Sequence, residues 1–192
     1  MSVIGAIFAI AREIFQTIFI SLLIFLFVYV FLVQPHRVKG DSMMPNFFDG
    51  ELLLTEKVTH KIYAPERGDV VVFSAPTGRK VDFIKRIIGK PGDTVKIDGG
   101  DVYINDQKLV EPYETQQTQG NLTATLTSNQ YFVLGDNRGS SSDSRSFGPI
   151  GTSSIKGRAW LVYWPLLASS QSLGLRVISR VHYGIPYTFY DR

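Results

Sequence analysis

The chain contains no cysteine. That excludes disulfides, thiolate nucleophiles and cysteine-ligated metals, and it leaves the redox compartment open. Histidine is scarce as well. His36, His60 and His182 lie far apart without metal-ligand spacing, so no metal or other cofactor is expected. The same scarcity makes a Ser-His-Asp triad hard to build, because that arrangement needs a histidine held against the serine. His36 follows closely on a long apolar run, and His60 and His182 sit in no motif. Basic runs are missing too: the net charge of +3 is spread over scattered Lys and Arg, which argues against nucleic acid as a partner. No internal repeat is present, and no long helical periodicity follows Pro35.

What is present begins with an apolar N-terminus. Residues 14–33 read "IFQTIFISLLIFLFVYVFLV", without a single charge. Twenty helical residues at about 1.5 Å each reach about 30 Å, the thickness of the hydrocarbon core of a bilayer. A cleaved secretory signal is the competing reading, but its apolar region is shorter and ends at small residues. This run instead ends in "LVQPHRV". A retained single-pass membrane anchor is therefore expected over 14–33, after a short flank at 1–13 and with Pro35 as the helix stop. Arg12 on one side and Arg37 and Lys39 on the other leave the orientation poorly encoded.

The remainder, 34–192, reads as one folded domain; the whole chain is 44% hydrophobic and 12% aromatic. "ELLLTEKV", "DVVVFSA", "VDFIKRIIG", "DTVKID", "DVYIN", "QYFVLGD" and "KGRAWLVYW" are short β-branched or aromatic runs punctuated by Gly, Pro, Asp and Asn. The expected fold is mainly β, a Greek-key or barrel-like antiparallel domain behind one transmembrane helix. "DGGD" at 98–101 predicts a hairpin turn. Residues 111–129 are polar and read as an exposed excursion or small subdomain, and the closing "GIPYTFYDR" as a last strand or docked tail.

Three stretches could carry chemistry. "RVKGDSMMPNFFDGE" places Ser42 on a Gly-Asp turn and follows it with apolar side chains, which no plain linker needs. In "VDFIKRIIGKPGD", strand alternation puts Val81, Phe83, Lys85 and Ile87 on one face, with Arg86 and Asp82 on the other. A lysine on an apolar face loses hydration, and its pKa falls. The alternative is a lysine that snorkels out at a strand end. "GDNRGSSSDSRSFG" is a dense polar loop in which Asp136, Arg138, Asp143 and Arg145 can form a charge network, or simply a solvated turn. With histidine unsuited, a serine paired with a neutral lysine is the available nucleophile and base.

In order behind a membrane anchor, "GDSMMPNF", "RGDVVVF", "FIKRIIGKPGD" and "GDNRGSSSDSRSFG" resemble the boxes of bacterial type I signal peptidases, in particular the Gram-positive, cyanobacterial and plastid branch. The resemblance runs from the anchor to "WLVYWP". It implies a membrane-bound Ser–Lys endopeptidase that cleaves signal peptides from exported preproteins after Ala-x-Ala at the membrane surface. The catalytic domain would lie on the exported side of a plasma or thylakoid membrane. By resemblance Ser42 is the nucleophile and Lys85 the general base. Ser141 matches the serine that hydrogen-bonds the lysine, and Asp143 and Arg145 match residues that brace the site, with Asp136 and Arg86 in support. The backbone N–H of Ser42 matches the oxyanion donor. Some members add a hydroxyl two residues earlier; this chain has Gly40 there, whose backbone stands with that of Ser42 as an expected oxyanion group. Met43, Met44 and Phe83 are expected to line the substrate cleft or touch lipid; Phe47 and Phe48 either join them or pack the core. Asn46 replaces a usual small hydroxyl residue, and Ser140 a frequent Asn.

The preproteins and the bilayer are the expected partners. A non-catalytic, membrane-tethered β-domain for protein interaction is the alternative from another class. "SSIK" at 153–156 fits the S-x-x-K pattern of penicillin-binding enzymes, but no K-T-G follows and it opens a predicted strand.

Overall fold

The computed structural model describes residues 3–58, 63–76, 78, 81–112 and 116–178. Helix α1 spans Val3–Phe27 and continues as one wide π-helical turn over Val28–Leu32. Within it, Ile7–Leu32 is long and apolar enough to cross a membrane, and its apolar side chains are exposed. The helix thus begins well before residue 14, taking in Arg12 and Glu13. Pro35 does not stop it. Strand β1, Val33–Arg37, has already begun, and Pro35 lies inside it. A proline is tolerated there because β1 is an edge strand, paired among the described residues only with β2 at Leu52–Glu56. The junction is pinned where Lys57 N–H donates to the Leu32 carbonyl at 2.9 Å.

The other strands are β3 (Val70–Ser74), β4 (Asp82–Gly89), β5 (Thr94–Asp98), β6 (Asp101–Ile104), β7 (Gln107–Lys108), β8 (Leu122–Thr125), β9 (Gln130–Leu134), β10 (Ile150–Gly151), β11 (Ile155–Trp164) and β12 (Arg176–Val177). They form two sheets. The larger runs β1-β2-β11-β3-β4-β9-β10, with β12 added to β11; the smaller runs β7-β6-β5-β8. Every paired strand is antiparallel, so the mainly β, antiparallel domain behind one apolar helix is the observed architecture. Each apolar run named above holds a strand. The "DGGD" turn joins β5 to β6 with Gly99 at φ 58° and Gly100 at φ 90°, as a tight hairpin of right twist requires.

The polar stretch 111–129 is less solvated than its composition suggests. It supplies β8 to the small sheet, Leu126 to the core beneath it, and buried Thr118. The Glu111 side chain is buried too, paired with Arg138 of the polar loop. The closing "GIPYTFYDR" lies outside the described residues.

β3 and β4 carry the site. β3 is buried on both faces, which explains its continuous run of valine and phenylalanine. β4 is buried from Ile84 onward, so Lys85 and Arg86 are both interior on opposite faces.

Candidate active site

The Ser42 turn is built by the residues around it. Gly40 takes φ +77°, a conformation that L side chains rarely adopt, and its N–H donates to Asp49 Oδ1 at 2.7 Å. Met44 N–H returns to the Asp41 carbonyl at 3.1 Å, and Phe47 N–H to the Met43 carbonyl at 2.9 Å. Met43 and Phe47 then fasten this turn into a core cluster with Val38, Leu53, Val72 and Ile84. The apolar side chains after the serine are therefore anchors. Met43, expected in the cleft or at lipid, is fully buried, and that expectation is corrected. Met44 and Phe48 are half-buried, and neither lines the cleft.

Lys85 comes up from β4, paired in register with Val71. Its Nζ lies 2.6 Å from Ser42 Oγ and donates to the Ile84 carbonyl at 2.9 Å. The Phe83 ring stands 5.4 Å away, held in turn against Phe73 and Phe147. Among the described residues, Lys85 meets no carboxylate at ion-pair distance. Burial pushes its pKa down to about 8, against an opposing pull from the more distant Asp143 and Asp136. A neutral Lys85 can accept a proton from the Ser42 hydroxyl along the 2.6 Å contact.

Asp143, Arg145, Asp136 and Arg86 do come together here, but not as one network. Arg86 reaches Asp136 through two bonds of 2.8 and 2.6 Å and the Gly68 carbonyl at 3.0 Å, with both side chains buried. Asn46 Nδ2 donates to the same Asp136 at 2.9 Å, so the residue that departs from the family pattern is engaged in the site. Asp143 caps the short helix α2, Ser144–Phe147, accepts from Gly135 N–H at 3.1 Å, and pairs with Arg145 at 2.8 Å. Burial opposes the charge on Asp143, but these bonds win and hold its carboxyl below the usual value. Arg138, placed in the same network by sequence, turns away to Glu111.

Two site expectations are corrected. Ser141 Oγ does not bond Lys85, whose Nζ meets Ser42 Oγ and the Ile84 carbonyl instead; it is buried beside Asp143 and helps hold that carboxyl low. It packs where a Cβ on Gly135 would collide with it and with the Ser42 carbonyl, so glycine is required at 135 for this close approach. Gly40 cannot serve as an oxyanion donor, since its N–H is taken by Asp49. The Ser42 N–H has no partner among the described residues and remains the available donor.

Asn137 was not singled out from sequence. Its N–H donates to the Ser42 carbonyl and its Nδ2 to the Asp41 carbonyl, each at 3.1 Å, which clamps the polar loop onto the serine turn. Nothing local marks it beyond its place in "GDNRG". Ser42 and Lys85 open into a cleft of about 260 Å³, lined also by His36, Val72, Phe83 and Ile84. Phe83 lines this cleft. His36, set aside as too near the apolar run, does reach the cleft, and burial lowers its pKa. Lys85 rather than His36 holds the serine hydroxyl.

Residues 11–164 match the family model described as signal peptidase, peptidase S26. A signal peptidase I of Bacillus amyloliquefaciens is 38% identical over 162 residues, covering 78% of this chain and 83% of that protein. A probable signal peptidase I-1 of Synechocystis is 35% identical, covering 80% and 83%. Signal peptidase IB of Staphylococcus aureus is 36% identical over 168 residues, covering 78% and 87%. With the serine turn, the buried lysine and matches of this extent in hand, the chain belongs to the signal peptidase family, peptidase S26, of serine peptidases.

Proposed function

We propose that the chain is a membrane-anchored Ser–Lys endopeptidase that removes N-terminal signal peptides from exported preproteins after small residues. The observation that carries this reading is the 2.6 Å contact between Ser42 Oγ and Nζ of a buried lysine whose pKa lies near 8. At pH 8 a free lysine is neutral in about one molecule in 250, whereas a pKa near 8 leaves about half neutral.

In the proposed reaction Lys85 takes the Ser42 proton as Oγ attacks the carbonyl carbon of the scissile peptide. The developing oxyanion is met by the Ser42 N–H. The Lys85 ammonium then returns its proton to the leaving amine, which frees the mature chain and leaves the signal peptide as an ester on Ser42. Water, deprotonated by Lys85, hydrolyses that ester and restores the serine. Asp143, Arg145, Asp136 and Arg86 brace the reacting pair.

A cleft walled by Val72, Phe83 and Ile84 favours alanine at the −1 and −3 positions and excludes larger groups by overlap. The anchor at Ile7–Leu32 would hold the site at the bilayer. Trp160, Trp164, Leu166, Leu167 and Leu173 are exposed, which suits a domain that rests on lipid. On this reading the domain faces the exported side of a plasma or thylakoid membrane, where released preproteins fold.

The test is incubation of the full chain in detergent with a preprotein whose signal ends in Ala-x-Ala. Cleavage after −1 is expected, with loss of cleavage for Ser42→Ala and for Phe at −1. A folded wild-type protein that cleaves nothing, yet retains partner proteins, would favour the non-catalytic tethered domain.

A further inference from the structure

The family match ends at residue 164, yet the chain continues as a strap that folds back under the serine turn. After Trp164 it bends twice, with Ser169 N–H donating to the Ser172 carbonyl at 2.8 Å and Leu175 N–H to the Leu166 carbonyl at 3.3 Å. Gly174, at φ +75°, lets the return run against Ala168, and Arg176 and Val177 pair with Val162 and Leu161 as β12.

This strap delivers one guanidinium to the loop that holds the nucleophile. Arg176 forks onto buried Glu51, with Nη1 to Oε1 at 2.8 Å and Nη2 to Oε2 at 2.7 Å. Its Nη2 also donates to the Asn46 carbonyl at 2.6 Å, and its guanidinium lies 5.4 Å from the centre of the Phe47 ring. Ser172 adds a 2.6 Å bond to Glu51, and Glu51 in turn accepts from Phe48 N–H at 3.2 Å. Burial alone would raise the Glu51 carboxyl, but the bonds from Arg176, Ser172 and Phe48 hold it below the ordinary value. A planar fork is what this site needs, since one group must satisfy two carboxylate oxygens and a carbonyl together.

Asn46 is consequently held at both ends. Its carbonyl is tied to the strap, and its amide to Asp136, which is paired with Arg86 beside Lys85. Phe47 and Met43, on either side of this clamp, are the core anchors of the Ser42 turn. We propose that Arg176 is a positioning residue for catalysis: the strap at 165–177 fixes the turn that aims Ser42 at Lys85. The proposal rests on Ser42 being the nucleophile.

The test uses the full chain in detergent, with kcat and KM for an Ala-x-Ala preprotein, thermal unfolding and the pH–rate profile. Arg176→Met alone strands a buried carboxylate, so the principal variant is the pair Glu51→Gln with Arg176→Met, which leaves no charge unpaired. It keeps an acceptor for Phe48 N–H while releasing Asn46. Misplacing a reacting group by about 1 Å costs about a hundredfold. The expected result is a fall of about tenfold or more in kcat, with KM, the acid limb set by Lys85 and the folded fraction unchanged. Arg176→Lys, with its single point of contact, should recover part of that loss. A folded double variant with wild-type kcat overturns the proposal, as does a loss that merely tracks the unfolded fraction. Should the double variant not fold, Arg176→Lys decides alone: lowered kcat in folded protein supports the proposal, and wild-type kcat overturns it. An active Ser42→Ala, run alongside, would instead sink the nucleophile assignment itself.

Discussion

Lys85 and Lys96 lie on β4 and β5, consecutive strands that belong to different sheets. In the small sheet, sides alternate between core and solvent, and charges stay on the wet side. Lys96 pairs with Asp98 in the open, and that bond raises its pKa. Lys108 pairs with Asp101 in the same way. In the large sheet, β3 and β4 are covered on both faces, so any charge there must be compensated or pay the full cost of dehydration. Arg86 has Asp136. Lys85 has a hydroxyl, a carbonyl and an aromatic ring, and its pKa falls to about 8. The same residue type on neighbouring strands is shifted in opposite directions because one sheet is wet on a face and the other is not. On the proposed mechanism, Lys85 becomes a base through the carboxylate it lacks as much as through the serine it touches.

The largest effect should come from restoring a permanent charge at the buried position. Lys85→Arg keeps the cation, but a guanidinium stays protonated at any working pH. Preprotein cleavage is expected to fall by about a thousandfold, within the range of about a hundred- to ten-thousandfold that a positioned general base contributes, with the protein still folded. Lys96→Met is the matched change in the small sheet, and cleavage should be unaltered. Near wild-type cleavage by Lys85→Arg would break the contrast and remove Lys85 as the base.

A second, smaller effect separates paired charge from unpaired charge in the loop packed beside the large sheet. Arg145→Ala leaves the fully buried Asp143 without its cation. Removing one partner of a buried pair costs about 3–5 kcal/mol. Thermal unfolding should record a loss of this size, with activity falling as Gly135 and the loop on the serine turn loosen. Asp143→Asn should cost less, because Arg145 can turn to water. A stable, fully active Arg145→Ala protein would show that Asp143 does not need its partner.

How much of this was legible before folding depends on the range over which each residue is determined. The strands announced themselves because β-branched and aromatic runs between turn residues are local. The position of Lys85 on an apolar face followed from a two-residue period. The Gly-Asp turn at Ser42 was readable too, but the role of Met43 was not. A methionine at lipid and a methionine in a core look alike until the turn is seen to point it inward. The polar loop was legible as a source of bracing charges, yet its pairing was not. Arg138 is seven residues from Arg145 but is claimed by Glu111, and Asp136 is claimed by Arg86 fifty residues away. Glu51 gave no signal at all, since its partners at Ser172 and Arg176 lie beyond 120 residues in sequence. Pro35 misled because its usual meaning, a helix stop, gave way to a second one, a tolerated place in an edge strand.

The last contrast concerns stability rather than rate. Lys85 titrates near 8 in the folded protein and near 10.4 when unfolded, so between those values the unfolded chain holds a proton that the folded chain does not. Stability must then rise with pH across that window, because it rises wherever the unfolded state binds more protons. Below pH 8 both states are charged, and the folded one bears the cost of a dehydrated ammonium, about 3 kcal/mol for a shift of this size. Lys85→Met carries no such cost and suits the apolar surroundings of Phe83 and Ile84. At pH 7 the Lys85→Met protein should therefore unfold at a higher temperature than wild type. Its advantage should shrink steadily from pH 8 to above pH 10. The reverse trend, with wild type more stable at pH 7, would mean that a carboxylate compensates Lys85 in solution. An advantage independent of pH would trace it to packing alone, and the proton on Lys85 would then play no part in it.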